Sequence, residues 1–330
     1  MASHIERRKF LATLGGVAAA WPLAARAQQA GKAYRIGFLG VTSYAEYRYL
    51  IDALRMGLRQ LGYEEGKNIV IEYRWAEGKF DRLPALATEL VNLNIEVLVT
   101  HSTAGALAAK QATSTIPVVM AAGADPVATG LVAGLHRPGG NLTGSMQFWT
   151  EVAAKRVELI KEAIPALTSV AVLVQSGAPA THITLTAMER VADTLGLELI
   201  PVELKARDDI VASIAAVAAQ RARALVLMEG PLWISNVRQI ADLALGNRLP
   251  MISFKTETKA GALLEYGANV ADLFYRSAMF VDKILKGTPP ADLPIERAVK
   301  FDLVVNLNSA KTLGIEVPTS LLIRADEVIE

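Results

Sequence analysis

The sequence predicts an α/β protein built as two doubly wound, Rossmann-like lobes in series, joined by about three connecting hinge strands. Three observations lead there. Short β-branched or apolar runs alternate with longer amphipathic segments along most of the chain, the pattern of βαβ units on a parallel sheet. The alternation breaks at HRPGGNLTG (136–144), where proline and three glycines force a turn and a short strand, and then restarts. The length left after an N-terminal leader is set aside, roughly 300 residues, is too great for one small core and suits two domains.

In order, the first half reads strand 34–40 (YRIGFLG), helix 46–61, strand 68–75, helix 81–93, strand 95–100, helix 104–112 and strand 117–121. The second reads helix 151–164, strand 169–174, helix 181–195, strand 197–202, helix 207–220, strand 222–228, helix 234–246 and strand 250–253. After residue 260 come the strand ALLEYG, a helix from Asp272 to Lys286, the connector TPPADLP and the strand VKFDLVV. Late strands are expected to return to the first lobe. That assigns 33–147 plus 258–294 to the N-terminal lobe and 148–257 plus 295–330 to the C-terminal lobe, with hinges near 145–150, 252–258 and 294–302.

The leader is residues 1–27. Its apolar run, Leu11 to Ala25, is too short to span a bilayer and holds Gly15, Gly16 and Pro22. A cationic head (Arg7-Arg8-Lys9), an apolar middle and the small-x-small ending Ala25-Arg26-Ala27 make a secretory signal peptide, cleaved before Gln28. Arg7-Arg8 followed by Phe10-Leu11 resembles a twin-arginine signal. Export to the periplasm as a soluble protein is the expectation, and with no cysteine there is neither a lipid-attachment residue nor a disulfide framework. The leader takes four basic and one acidic residue with it, leaving 30 against 32 and a formal charge of −2. No basic surface for nucleic acid is indicated.

In doubly wound sheets ligands sit beyond the carboxyl ends of the strands, so the residues following each strand are the candidates. Ser43 and Tyr44 follow the first strand, Ser102 and Thr103 the third, and Asp125 the fourth; Gln147 lies in the first connector. A hydroxyl pair opening a helix caps it, and with free N–H groups also suits a carboxylate. Asp125 either accepts from an amino group or holds an Asp-Pro turn. The second half contributes Gln175, Ser176, Glu229, Trp233 and Phe254, and the late loop adds Tyr266 and Asn269. Aromatics beside hydroxyls, amides and carboxylates suit a small organic solute. Nucleophile elbows, a Walker A sequence and GxGxxG are absent, and the histidines at 4, 101, 136 and 182 lack metal spacing. Binding without catalysis, cofactor or metal is the reading.

The blocks GKNIVIEYRWAEGKFDRLPALATELV (66–91), TSTIPVVMAAGADPVATGLVAGLHRPGGNLTG (113–144), AAKRVELIKEAIP (153–165) and KFDLVVNLNSAKTLGIEVPTSLLIRADEVIE (300–330) resemble the substrate-binding proteins of ABC transporters of the tryptophan/tyrosine type. The resemblance implies a type I periplasmic binding fold, a monomer that captures a solute between its lobes, and a membrane permease as partner. It places Ser102 and Thr103 on a carboxylate-side loop and Asp125 in a DPV motif. Asn269 stands where an acidic residue is expected, leaving an aromatic or branched acid nearly as plausible as an amino acid. A sensor docking to a membrane receptor and an exported α/β enzyme are the rival readings.

Overall fold

The computed structural model describes residues 33–175, 181–204, 207–220, 222–228, 233, 236–256 and 261–330. Two sheets carry the chain. The first holds β1 (Tyr34–Gly40), β2 (Ile69–Trp75), β3 (Val97–Thr100), β4 (Val118–Met120), β5 (Leu142–Met146) and the two-residue β11 (Glu296–Arg297), in the order β11-β5-β4-β3-β1-β2 and all parallel. The second holds β6 (Ser169–Gln175), β7 (Glu198–Leu204), β8 (Leu225–Leu227), β9 (Met251–Ser253), β10 (Leu264–Ala268), β12 (Phe301–Asn306) and β13 (Glu327–Ile329), in the order β13-β12-β10-β9-β8-β6-β7. The five leading strands of each sheet follow the doubly wound order 2-1-3-4-5, whose reversal falls between the first and third strand.

Successive strand residues point to opposite faces, and both faces are apolar. In the first sheet Ile36, Phe38, Val97 and Val99 enter one core with α1 (Tyr44–Gln60) and α8 (Val270–Leu285). Leu39, Leu98, Val118 and Met120 enter another with α2 (Leu83–Asn92) and α3 (Ser102–Ala112). The second sheet repeats the scheme. Val170, Val172 and Val226 pack with α4 (Trp149–Ala163), α5 (Thr181–Thr194), α9 (Leu307–Leu313) and α10 (Thr319–Arg324), whereas Ala171, Leu173 and Leu225 pack with α6 (Asp209–Ala219) and α7 (Val237–Gly246). Tyr47, Leu50, Ile51, Leu54 and Leu58 make the buried stripe of α1, spaced for one helical face.

The chain crosses between the sheets three times, at 147–148, at Asn269 and at 298–300. The second crossing differs from the expected 252–258. Strand β10 extends the second sheet, parallel to β9 and antiparallel to β12, so residues 261–268 do not return to the first lobe as the 258–294 assignment required. A short apolar strand suits either sheet, and its partners decide which it joins. Glu296–Arg297 instead pair with β5, which moves the start of the late segment of the second lobe past 295.

Candidate functional site

A cavity of about 340 Å³ opens between the lobes. Its first wall follows β1 (Val41, Thr42), β3 (His101, Ser102) and β4 (Ala122); its second follows β9 (Phe254, Lys255, Thr256). The first wall thus straddles the point where the strand order reverses, and the volume lies near the lower end of the range for small-molecule sites, about 300–1,000 Å³.

His101 connects β1 to β3 across that point. Its Nε2 accepts the Val41 N–H at 3.1 Å, its ring centroid lies 4.3 Å from that of Tyr47, and it stacks near Phe38 at 6.2 Å. Burial without an acidic partner drives its pKa down to about 3, so the imidazole is neutral. With Nε2 accepting, the proton resides on Nδ1, for which no acceptor is found among the described residues, in a ring that lines the cavity. Burial also pushes the neighbouring Tyr47 phenol up, keeping its hydroxyl protonated.

Ser102 opens α3 with φ at 65°, a conformation costly for a non-glycine residue. Its N–H donates to the Ala122 carbonyl at 2.6 Å, tying the ends of β3 and β4, and its Oγ accepts from Gly105 N–H at 3.2 Å. Opposite, the buried Glu265 carboxylate on β10 accepts from Thr256 N–H at 2.8 Å and from its hydroxyl at 3.0 Å, fixing the loop after β9. That loop carries Lys255, whose Nζ is loosely held, 3.4 Å from the Thr256 carbonyl and 3.8 Å from Glu327. At the first crossing, Gln147 Oε1 accepts from Trp149 Nε1 at 3.1 Å, and both residues line the cavity. Among the described lining residues, the charged groups are Glu46 from the first lobe and Lys255 from the second.

Of the residues singled out from sequence, Ser102, Gln147 and Phe254 meet in this cavity. Thr103 lies beside Ser102 with its buried Oγ1 lacking a partner. The others stand elsewhere for local reasons. Ser43 caps α1 by accepting from Glu46 N–H at 3.4 Å, and Tyr44 is 41% exposed, edge-on to Trp75. Asp125 is the turn residue: its Oδ1 accepts from Val127 and Ala128 N–H at 2.8 and 3.1 Å. Trp233 is fully buried in the second-lobe core. Tyr266 stacks on Phe301, and Asn269 caps α8 by accepting from Asp272 N–H while donating to Asp302. For Gln175 only the backbone at the end of β6 is described; Ser176, Glu229 and the leader lie outside the described residues. Tyr47, among the aromatics that follow the first strand, lines the cavity too, whereas sequence reading missed His101, Glu46, Lys255, Thr256 and Phe274 as lining residues. Lys255 and Thr256 directly follow Phe254, so taking the whole strand-end segment would have included them.

A family model described as ABC transporter substrate binding protein matches residues 44–329. The chain belongs to this family. The substrate-binding protein is similar to the tyrosine-binding protein of Clostridioides difficile (strain R20291), with 24% identity over 282 residues that cover 84% of this chain and 81% of the other. Among solved structures it is similar to the ABC domain in complex with L-Trp from Streptococcus pneumonia, at 25% identity and a TM-score of 0.83, covering 90% of this chain and 100% of that one. It is also similar to a conserved domain protein from Vibrio cholerae, at 28% identity and a TM-score of 0.82, with the same coverage. The membership accords with a site that binds rather than transforms, and with the type I periplasmic binding fold. No helix among the described residues is long and apolar enough to cross a membrane.

Proposed function

We propose that this substrate-binding protein is the solute-capturing component of an ABC importer, exported by residues 1–27 to the periplasm, monomeric, and delivering an aromatic amino acid to a membrane permease. One observation carries the choice of solute: the two charged groups among the described lining residues, Glu46 and Lys255, have opposite signs and come from opposite lobes. A zwitterion offers each a partner, an amine for Glu46 and a carboxylate for Lys255, whereas a simple acid offers one to Lys255 alone. Asn269 caps α8 and is not among the described lining residues, so the reading does not lean on it. Tyr47, Trp149, Phe254 and Phe274 supply ring faces for an aromatic side chain. The ligands of the similar proteins, tyrosine and L-Trp, point the same way. Bending at the three crossings closes the lobes over the solute, since only the closed form makes both sets of contacts.

The test is thermal stabilisation by the common amino acids and by amine-free analogues of the aromatic ones. L-Tryptophan or L-tyrosine at about a hundredfold over Kd adds about 2.7 kcal/mol, and the analogues add far less. Equal stabilisation by phenylpropionate and L-phenylalanine would overturn the zwitterion assignment. For the leader, Arg7→Lys with Arg8→Lys abolishes export; unchanged export, followed by periplasmic fractionation, assigns the ordinary secretory route instead.

A further inference from the structure

A buried histidine usually serves as a charge switch or as an inert piece of core. His101 has the arrangement of neither. It is 4% exposed, packed among Phe38, Tyr47 and Phe274, and directly precedes α3. One ring nitrogen is committed to a backbone N–H sixty residues away in sequence. A nitrogen that accepts a hydrogen bond cannot also carry the proton, so the neutral ring has a single tautomer. Its remaining polar atom is a donor without an acceptor among the described residues, in a ring lining the interlobe cavity beside Ser102.

We propose that His101 is a specificity-determining residue that donates its Nδ1–H to a carboxylate oxygen of the solute, holding that anion on the first lobe without contributing charge. The inference rests on the carboxylated-solute reading of the cavity. It divides recognition between the lobes: His101 and the start of α3 receive the carboxylate by neutral hydrogen bonds, and Lys255 adds its charge when the second lobe closes. A carboxylate presents acceptors to His101 and to the second group of donors, the start of α3 and Lys255, at once; the amide of the same amino acid keeps one acceptor oxygen for His101 but turns NH₂ donors toward the second group, so it binds more weakly.

Unlike a titrating histidine, this donor works unchanged between about pH 5 and about pH 8. The groups packed on it support that. From α1 comes Tyr47, whose phenol stays neutral; from β1 and α8 come the non-titrating Phe38, Val41 and Phe274; Glu46 and Lys255 line the same cavity.

Two substitutions separate the ring's two roles. In His101→Gln the longer amide reaches the Nε2 position and still accepts from Val41, but nothing replaces Nδ1. In His101→Asn the shorter amide reaches the Nδ1 position and keeps a donor, but Val41 loses its acceptor. Titration calorimetry with L-tryptophan is expected to show Kd raised about tenfold to a hundredfold in His101→Gln and within about threefold in His101→Asn. Nitrogen NMR of the ligand-free wild type is expected to show the Nδ1–H tautomer, unchanged between about pH 5 and about pH 8. An imidazole that titrates in that window overturns the proposal, and so does His101→Gln binding L-tryptophan as tightly as wild type. If neither L-tryptophan, L-tyrosine nor benzoate binds the wild type, the carboxylate reading falls and takes this proposal with it. Binding that survives His101→Gln removes the proposal alone.

Discussion

At the scale of residues, keeping His101 neutral links acid stability to a binding residue. Its folded pKa, about 3, lies below the value of about 6.5 for an exposed imidazole, so in acid the unfolded chain binds a proton that the folded chain refuses. Stability from this group is complete above about pH 6.5 and is lost as pH falls toward about 3, at up to about 1.4 kcal/mol per pH unit. Urea midpoints measured at descending pH should therefore fall more steeply for wild type than for His101→Gln, which keeps the Val41 acceptor without the titrating ring. The same residue shows why the site was only partly legible in sequence. Ser102 and Phe254 follow strands directly, so strand ends alone brought them forward. His101 follows β3 as well, but its role depends on Val41, a partner no local pattern reveals. Asp125 and Asn269 have the residue type a ligand site needs, yet each satisfies backbone N–H groups two or three positions ahead. A polar residue at a strand end is ambiguous between those uses until its nearest N–H groups are located.

At the scale of elements, α1 and α8 cover one face of the first sheet in close contact. A Cβ on Gly57 would stand 2.3 Å from the Tyr275 carbonyl and 2.8 Å from the Ala278 methyl, so the helices meet there backbone to backbone. Gly57→Ala must push α8 away from α1, and a loss of about 1–3 kcal/mol in denaturant unfolding is expected, despite alanine's better helix propensity. A stability gain would show the crossing to be looser than described. Most elements were legible because periods of 2 and 3.6 are local: β1 spans 34–40 as expected, and α5 and α8 differ from expectation by two residues or fewer at each end. What local periodicity does not encode is a partner. Strand β10 has an unremarkable apolar composition, and only its pairing with β9 and β12 shows that it completes the second sheet.

At the scale of the whole molecule, family membership and fold explain why sequence reached the class of function before its details. Two doubly wound lobes put their strand ends toward one cleft, and the cleft determines that something small is held there. The side chains that line it from the two lobes, Glu46 and Lys255 among them, share one cavity only after both lobes are assembled. The chain passes between the two sheets at 147–148, Asn269 and 298–300.

Those crossings also set a timetable for synthesis. The helix that seals α1, and the strand that pairs with β5, are encoded after β6 to β10 of the second lobe and before β12 and β13. Residues 33–147 emerging from a ribosome have a sheet with one face covered by α1 alone, the side chains of Ile51, Leu54 and Phe38 waiting for Leu273, Phe274 and Val281. Neither lobe can be finished before the other is well advanced, so a fragment ending at 147 is expected to bind a hydrophobic dye and lack a cooperative melt. Supplying 261–330 as a separate chain should not repair it, because that piece also carries strands of the other sheet. The molecule is made as one object, late and all together, and any export route that accepts only folded cargo must wait for the last helices.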